Sequence, residues 1–358
     1  MGFLRKRIRD YGIQIGEYEP GENNSITDIN EVKVGHSTIV RGRGPLKVGS
    51  GPVRTGVTAI MPHGGDLIEK PVEASYFVFN GAGTTAGLSL IDEFGLIETP
   101  IMLTNTLSVG TVYEAVVKYT VEKSFTDGQV RWFNPVVGET SDAYLNDIGG
   151  LHVKEEHVFE AINEAKGGEI EEGNVGAGTG TTAVGFKAGI GTSSRVVPVK
   201  GVEFSVGVLV QSNFGGSLEV GGIHVGEKMK KRENKARGSI MVIIATDAPL
   251  SYRQLRRISK RGTLGLTKTG WNAGHGSGDY FISFSTTFRE RVQAKYVKDF
   301  ILDAQGSEEV LNPLFKATSE AVEEAVLNSI FKAETMTGRD EHIAEGIPVE
   351  AALEILKV

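Results

Sequence analysis

Residues 227–238 read EKMKKRENKARG, and the next seven read SIMVIIA. Six of the first twelve are lysine or arginine and none is β-branched. Such a segment has little to bury and reads as a solvated linker. The seven that follow are apolar after the serine, which suits a strand inside a core. Gly238 and Ser239 join the two with no other turn residue between them. The chain must therefore pass from water to the end of a core strand within one peptide bond. Any fold open to it has to bring a surface connection directly onto an internal strand.

Composition narrows the classes. Glycine supplies 47 of 358 residues, about 13% against a usual ~7%, with no collagen period. Many tight turns and close backbone approaches follow. The formal net charge is −7 and the one basic cluster is local, which argues against a nucleic-acid partner. There is no cysteine, so disulfides, thiol catalysis and thiolate metal sites are excluded. The opening MGFLRKRIRDYGI lacks the apolar stretch of a signal peptide. No apolar run nears the ~18 residues that span a bilayer, so no membrane partner is expected. A cytoplasmic location is the default expectation.

Residues 20–37 carry turn signals and then an alternation through Ile29, Val32 and Val34, which predicts a strand; residues 57–63 (VTAIMPH) predict another. Helical spacing of Val109, Val112, Val116 and Tyr119 predicts a helix over 109–124. Further helices are expected at 155–166 and at 251–261, the latter with Ser251 as N-cap and Gly262 beyond its end. Strands are expected at 202–211, 239–245 and 279–285, and helices near 308–316, 319–334 and 348–357. Within 319–334, Ala321, Val322, Ala325, Val326 and Ile330 form one apolar stripe. Helices and strands interleave without a regular βαβ beat, which favours a layered α/β sandwich over a doubly wound parallel sheet.

The Gly238–Ser239 junction also has a chemical reading. A serine hydroxyl is a poor nucleophile unless a base sits beside it. A serine that begins a chain has its own α-amine within reach, with a reference pKa near 7.7–8.0. A chain that starts at Met1 must be cut to expose that amine. Gly238, without a Cβ, allows the bond before Ser239 to be held open to attack by the serine hydroxyl. On local pattern alone, a turn leading into a strand explains the same residues.

The wider pattern resembles the DmpA-like family, the L-aminopeptidase/D-amino-acid esterase enzymes that include β-peptidyl aminopeptidases. The resemblance is carried by RIRDYGIQIG…NSITDINEVKVGHSTI near the start, RTGVTAIMP (54–62) and ETPIMLTNTLSVG (98–110). It continues through PVVGETSDAYLNDI (135–148), GNVGAGTGTTAVGFKAGIGTSSR (173–195) and LVQSNFG (209–215). GSIMVIIATDAPL (238–250) and GHGSGDYFISFST (274–286) complete it. It covers roughly residues 5–290 and thins in the tail. The resemblance implies one catalytic domain over 1–358, self-cleaved into an α chain (1–238) and a β chain (239–358). It implies an αββα-type sandwich like that of Ntn-hydrolases with different connectivity, and a tetramer of αβ heterodimers.

By the same resemblance Ser239 is the nucleophile, and Ser277 and Asp279 serve it. Some members carry Glu where this chain has Asp279, which leaves open whether Asp279 shuttles a proton or orients Ser277. Asn213 matches the oxyanion-hole asparagine, Tyr144 a tyrosine lining the site, and Glu139 an acid that holds the substrate ammonium group. Small peptides, amino-acid amides or esters are the expected substrates. No metal or organic cofactor is expected. Two rivals are weighed: an acyltransferase of the ornithine-acetyltransferase type, whose new N-terminus is threonine, and a binding or scaffold protein that never processes.

Other signals are set aside. GAGTGTT (176–182) lacks a following GK[ST], so packing is expected there rather than phosphate binding. His275 lies two residues before Ser277, but the α-amine makes a Ser-His-Asp triad unnecessary. Asp247 precedes a predicted helix and is expected to cap it.

Overall fold

The computed structural model describes residues 5–126, 128, 131–230, 238–287 and 311–357. The first sheet is built from β1 (Lys33–Arg41), β2 (Val53–Met61), β5 (Ile101–Asn105) and β6 (Val136–Thr140), side by side in that order. The second contains β3 (Val72–Gly81), β4 (Leu96–Ile97), β7 (Ile190–Val199), β8 (Val202–Asn213), β9 (Ser239–Thr246) and β10 (Gly278–Ser285). Its spatial order is β4-β3-β10-β9-β8-β7. Four helices cover the outer faces: α1 (Val109–Ser124), α2 (Glu155–Asn163), α3 (Tyr252–Thr267) and α4 (Leu311–Phe331).

Alternation along the strands creates the layers. In β9, Met241 and Ile243 face the first sheet beside Leu103, Leu209 and Ile282. Ile240, Val242 and Ile244 face the other way, onto Leu255 and Ile258 of α3 and Val322 of α4. On the far side, Val112 and Val116 of α1 and Val158 of α2 pack over Val57, Ala59 and Met102 of the first sheet. The result is helix, sheet, sheet, helix, which is the αββα sandwich expected. Being internal and buried on both faces, β9 has to be apolar along its length, as residues 240–245 are between Ser239 and Thr246 at its ends.

Several elements depart from expectation. The first strand starts at Lys33; Ile29 instead follows a 3-10 turn over Ile26–Asp28 and is buried there, as is Val32. Gly262 lies inside α3, which runs on to Thr267: a Cβ at Gly262 would sit 2.6 Å from the Phe281 ring, so the glycine serves helix–sheet contact rather than termination. Ser251 is the N-cap, and its hydroxyl accepts from Gln254 N–H. Asp247 does not cap; its carboxylate accepts the Ser205 N–H at 2.7 Å. The two helices expected near 308–316 and 319–334 are one, α4, because nothing after Pro313 breaks it; residues 308–310 lie outside the described residues. Its apolar stripe is buried, and so are Glu320, Glu323, Glu324 and Asn328 on its other sides. Arg195 of β7 and Arg9 of the N-terminal segment both pair with Glu324 there.

Candidate active site

Three strand ends converge at Ser239. In the antiparallel pairing of β8 and β9, Asn213 lies opposite Ser239. In the parallel pairing of β9 and β10, Gly278 lies opposite Ser239, which sets Ser277 and Asp279 on either side of the contact. Parallel neighbours point their starts in the same direction, so both chain entries meet at one edge of the sheet. This is how residues 38 to 40 positions apart in sequence reach one place.

The Gly278 N–H is the pivot. It donates to the Gly238 carbonyl oxygen at 3.2 Å and to Ser239 Oγ at 3.2 Å. One backbone donor thus holds both the carbonyl before Ser239 and the hydroxyl of Ser239. Close approach at the other side requires Gly238: a Cβ there would stand 2.4 Å from Phe214 Cα. Ser239 is buried.

Ser277 donates its hydroxyl to Asp279 Oδ1 at 2.5 Å, and Asn80 donates its amide to Asp279 Oδ2 at 3.0 Å. Burial pushes the Asp279 carboxyl up to about 6, against the pull of those two bonds. No hydrogen bond joins Ser277 directly to Ser239 among the described residues; Gly278 lies between them. His275 is exposed, and the Ser277 hydroxyl is given to Asp279 instead, so a Ser-His-Asp triad is not assembled.

Asn213 is held at both ends of its amide. Its Oδ1 accepts the Thr182 N–H at 3.1 Å and its Nδ2 donates to the Ser141 carbonyl at 2.8 Å. A primary amide has a second N–H, so one donor remains for an incoming oxygen. The 176–182 segment therefore acts as a close-packed support: a Cβ at Gly176 would fall 2.3 Å from Thr58 Oγ1, and Thr182 anchors Asn213.

Glu139, at the end of β6, is buried across the inter-sheet cleft. Its Oε1 accepts the Thr84 N–H at 2.7 Å, and its Oε2 accepts the Thr106 hydroxyl. Burial raises its pKa and those two bonds oppose the rise. A Cβ at Gly83 would lie 2.9 Å from Glu139 Oε1 and 3.4 Å from Gly278 Cα, which ties the acid to the Gly278 neighbourhood. Tyr144 sits apart from these bonds. Its ring is 49% exposed and stacks on His342 at 4.6 Å, while its carbonyl meets His342 Nδ1 at 2.8 Å. The structure thus gathers Gly238, Ser239, Asn213, Ser277, Asp279 and Glu139, and holds the Tyr144 ring against His342 instead.

Sequence reasoning passed over Asn80, Thr84, Thr106 and the Gly278 N–H. Gly278 stands inside the motif GHGSGD, where the glycine was visible but its donor role was not. The other three are ordinary polar residues whose importance exists only in the fold. Among the described residues no cluster of three or more His, Asp or Glu side chains could hold a metal ion, and no helix is long and apolar enough to cross a membrane.

Comparison with known proteins converges on one group. The chain is 40% identical to the beta-peptidyl aminopeptidase BapA of Sphingosinicella microcystinivorans over 370 aligned positions, covering 98% of this chain and 92% of that protein. The crystal structure of the PH0078 protein from Pyrococcus horikoshii OT3 superposes with a TM-score of 0.90 at 47% identity, covering 98% of this chain and 99% of that one. The L-aminopeptidase D-Ala-esterase/amidase of Ochrobactrum anthropi superposes with a TM-score of 0.86 at 35% identity, covering 98% of each chain. That enzyme is described as a prototype for the serine aminopeptidases and a new variant among the Ntn hydrolase fold. The sequence profile of peptidase family S58 matches residues 24–344. The chain belongs to peptidase family S58.

Proposed function

We propose that this chain is a self-processing serine aminopeptidase that cuts its own backbone between Gly238 and Ser239 and then uses Ser239 to release N-terminal residues from small peptides, amides or esters. Membership in a peptidase family favours a hydrolase over the acyltransferase and scaffold readings. The observation that carries the cleavage site is the shared Gly278 N–H, which meets both the Gly238 carbonyl oxygen and Ser239 Oγ.

In the first reaction Ser239 Oγ adds to the Gly238 carbonyl carbon. The oxygen that gains charge already accepts the Gly278 N–H, a placement that stabilises the tetrahedral species. Breaking the C–N bond, as the hydroxyl proton passes to the departing nitrogen, leaves an ester at Ser239 and frees its α-amine. Water then hydrolyses the ester, giving a Gly238 carboxylate and a free Ser239.

In turnover the same hydroxyl attacks the substrate carbonyl. The α-amine takes the hydroxyl proton and returns it to the leaving amine, with Ser277 and Asp279 beside it. The remaining Asn213 N–H serves the oxyanion. Glu139 receives the substrate ammonium group, since a cation taken out of water needs a partner. Tyr144 is assigned to the lining of the same site on the family resemblance alone, its ring here stacked on His342. Water releases the acyl group, and neither a metal nor an organic cofactor takes part.

The single catalytic domain persists after cleavage as α (1–238) and β (239–358) chains. β9 supports this, because it pairs with β8 of one fragment and β10 of the other. Such heterodimers are expected to form a cytoplasmic tetramer acting on small-molecule substrates. Denaturing mass measurement tests the core of the reading. Wild type should give two fragments divided at 238/239, whereas Ser239→Ala should stay at one mass and lack amidase activity on amino-acid p-nitroanilides. Wild-type rates from the Ser239→Ala protein would remove Ser239 from the mechanism.

A further inference from the structure

β10 and β3 run antiparallel, and their register breaks at one point. Asp279 lies opposite Asn80, yet Tyr280 lies opposite Val78, so Phe79 is an extra residue in β3. A bulge of this kind bends one strand and re-aims the side chains beside it. The extra residue is anchored: the Phe79 ring meets Trp271 edge-on, with centroids 4.8 Å apart at 70°. Asn80 is thereby aimed at Asp279, and its amide nitrogen lies 3.0 Å from Oδ2. Oδ1 is the oxygen that takes the Ser277 hydroxyl.

We infer that Asn80 is a positioning residue for Asp279: seated by the bulge at Phe79, it occupies one carboxylate oxygen so that the other stays on Ser277. The inference rests on the reading that Ser277 and Asp279 serve Ser239. A carboxylate bonded at one oxygen alone is free to turn about its last bond, and Asp279, a short side chain, has little reach with which to recover. Two donors on two oxygens fix the plane of the group. Both donors also favour the ionised form, against a burial that disfavours it.

The groups able to influence Asp279 are few. Ser277 and Tyr280 are on its own segment, and Asn80 faces it from β3. From β9 comes the Ser239 α-amine after cleavage. From the first sheet comes Glu139; burial raises the Tyr280 hydroxyl, and Glu139 and Asp279 add to that rise. From the helix layer, Lys260 sits over the Phe77 ring of β3. His275 is the nearby imidazole and is exposed.

The acid side of kcat/KM against pH carries two groups, the Ser239 α-amine, which must be neutral to take the hydroxyl proton, and below it Asp279; the test is the lower limb, measured on cleaved enzyme with one amino-acid p-nitroanilide. Asn80→Ala removes a donor to the ionised form and should move the limb up by about one pH unit. Asn80→Asp, isosteric but of like charge, should move it further. Asn80→Ser, which keeps a donor, should return part of the way. A role confined to folding would lower rates or stability without this order. His275→Gln is run alongside and should leave the limb in place. A variant that cleaves only slowly is read from its rate of self-cleavage against pH. Asp279→Asn separates the two levels of the argument. Retention of the wild-type limb in Asp279→Asn defeats the reading of the site itself. Loss of the limb there, with unmoved limbs in all three Asn80 variants, defeats only the role of Asn80.

Discussion

A Cβ on Gly238 would stand 2.4 Å from Phe214 Cα and 2.9 Å from the Asn213 carbonyl oxygen. Both are backbone atoms, which cannot rotate aside as a flexible side chain would. Alanine at 238 must therefore draw the carbonyl away from the Gly278 N–H. Loss of one oxyanion donor slows comparable reactions by about 10²–10³. Gly238→Ala should slow self-cleavage by about that factor, followed as the decay of the uncleaved mass. Turnover per cleaved site should be unchanged, because residue 238 is by then a chain end. Cleavage at the wild-type rate would show that the Gly278 contact is incidental. Ser239, Ser277, Asp279 and Asn213 could be nominated from the sequence only through the family resemblance, since on local pattern each reads as turn or loop; the fold brings the four to one sheet edge. Asn80 could not. Its bond to Asp279 spans 199 positions and depends on a single extra residue in β3. Thr84 and Thr106 reach Glu139 in the same way, from loops that the sequence does not connect.

At the scale of elements, glycine controls how closely α4 approaches its neighbours. A Cβ at Gly191 of β7 would fall 2.0 Å from the Ala325 carbonyl, and one at Gly265 of α3 would fall 2.1 Å from the Ser319 carbonyl. α4 is thus held on two sides by backbone contact, with no room for a methyl group. Overpacking of this kind costs about 1–3 kcal/mol or more. Gly110, near the start of α1, has nothing within 4 Å of the same hypothetical atom. There alanine should stabilise by about 0.4–1 kcal/mol, by restricting the unfolded chain. One substitution is therefore expected to have opposite signs at 191 and 110. Urea midpoints on a Ser239→Ala background, where the chain stays whole, would measure both. Equal effects would mean that the helix shifts freely over the sheet. The helices were the easier elements to read, since α1 and α4 carry their apolar residues at helical spacing. β7 was hidden by its own polarity: Thr192, Ser193, Ser194 and Arg195 are all buried there, each with a partner elsewhere in the chain. β3 was hidden because several of its residues stay partly exposed and no clean alternation results.

Across the whole molecule, buried carboxyls set activity and stability against each other. Burial pushes Asp279 up to about 6, Asp247 up to about 6 and Asp142 up to about 7. Each then binds a proton in the folded state at a pH where the unfolded chain has released it, so folding gains as pH falls from 7 toward 5. Lys187, which burial lowers to about 7, is protonated in both states below that pH and adds no slope there. One opposing group acts in the same window: His36, which burial lowers to about 4, stays neutral in the fold while the unfolded chain takes up its proton, and this offsets part of the gain. The remaining opposing groups act later. Asp147, bonded to His152, and Glu324, bonded to Arg9 and Arg195, are held below their ordinary values. Their contribution is lost only when pH falls below the ordinary carboxylate range. Activity runs the other way, because the Ser239 α-amine acts as the neutral base and Asp279 as the anion, and both are protonated as pH falls, Asp279 near pH 6. The melting temperature of the Ser239→Ala chain should therefore peak near pH 5, while kcat/KM of the cleaved enzyme already falls from about pH 8 downward. Calorimetry and rate profiles in the same buffers would test the offset. A melting temperature that declines from pH 7 to 5 in step with activity would mean that these aspartates are not carried as buried, protonatable groups. Asp142→Asn should then flatten the rise, since an amide of the same shape has no proton to gain.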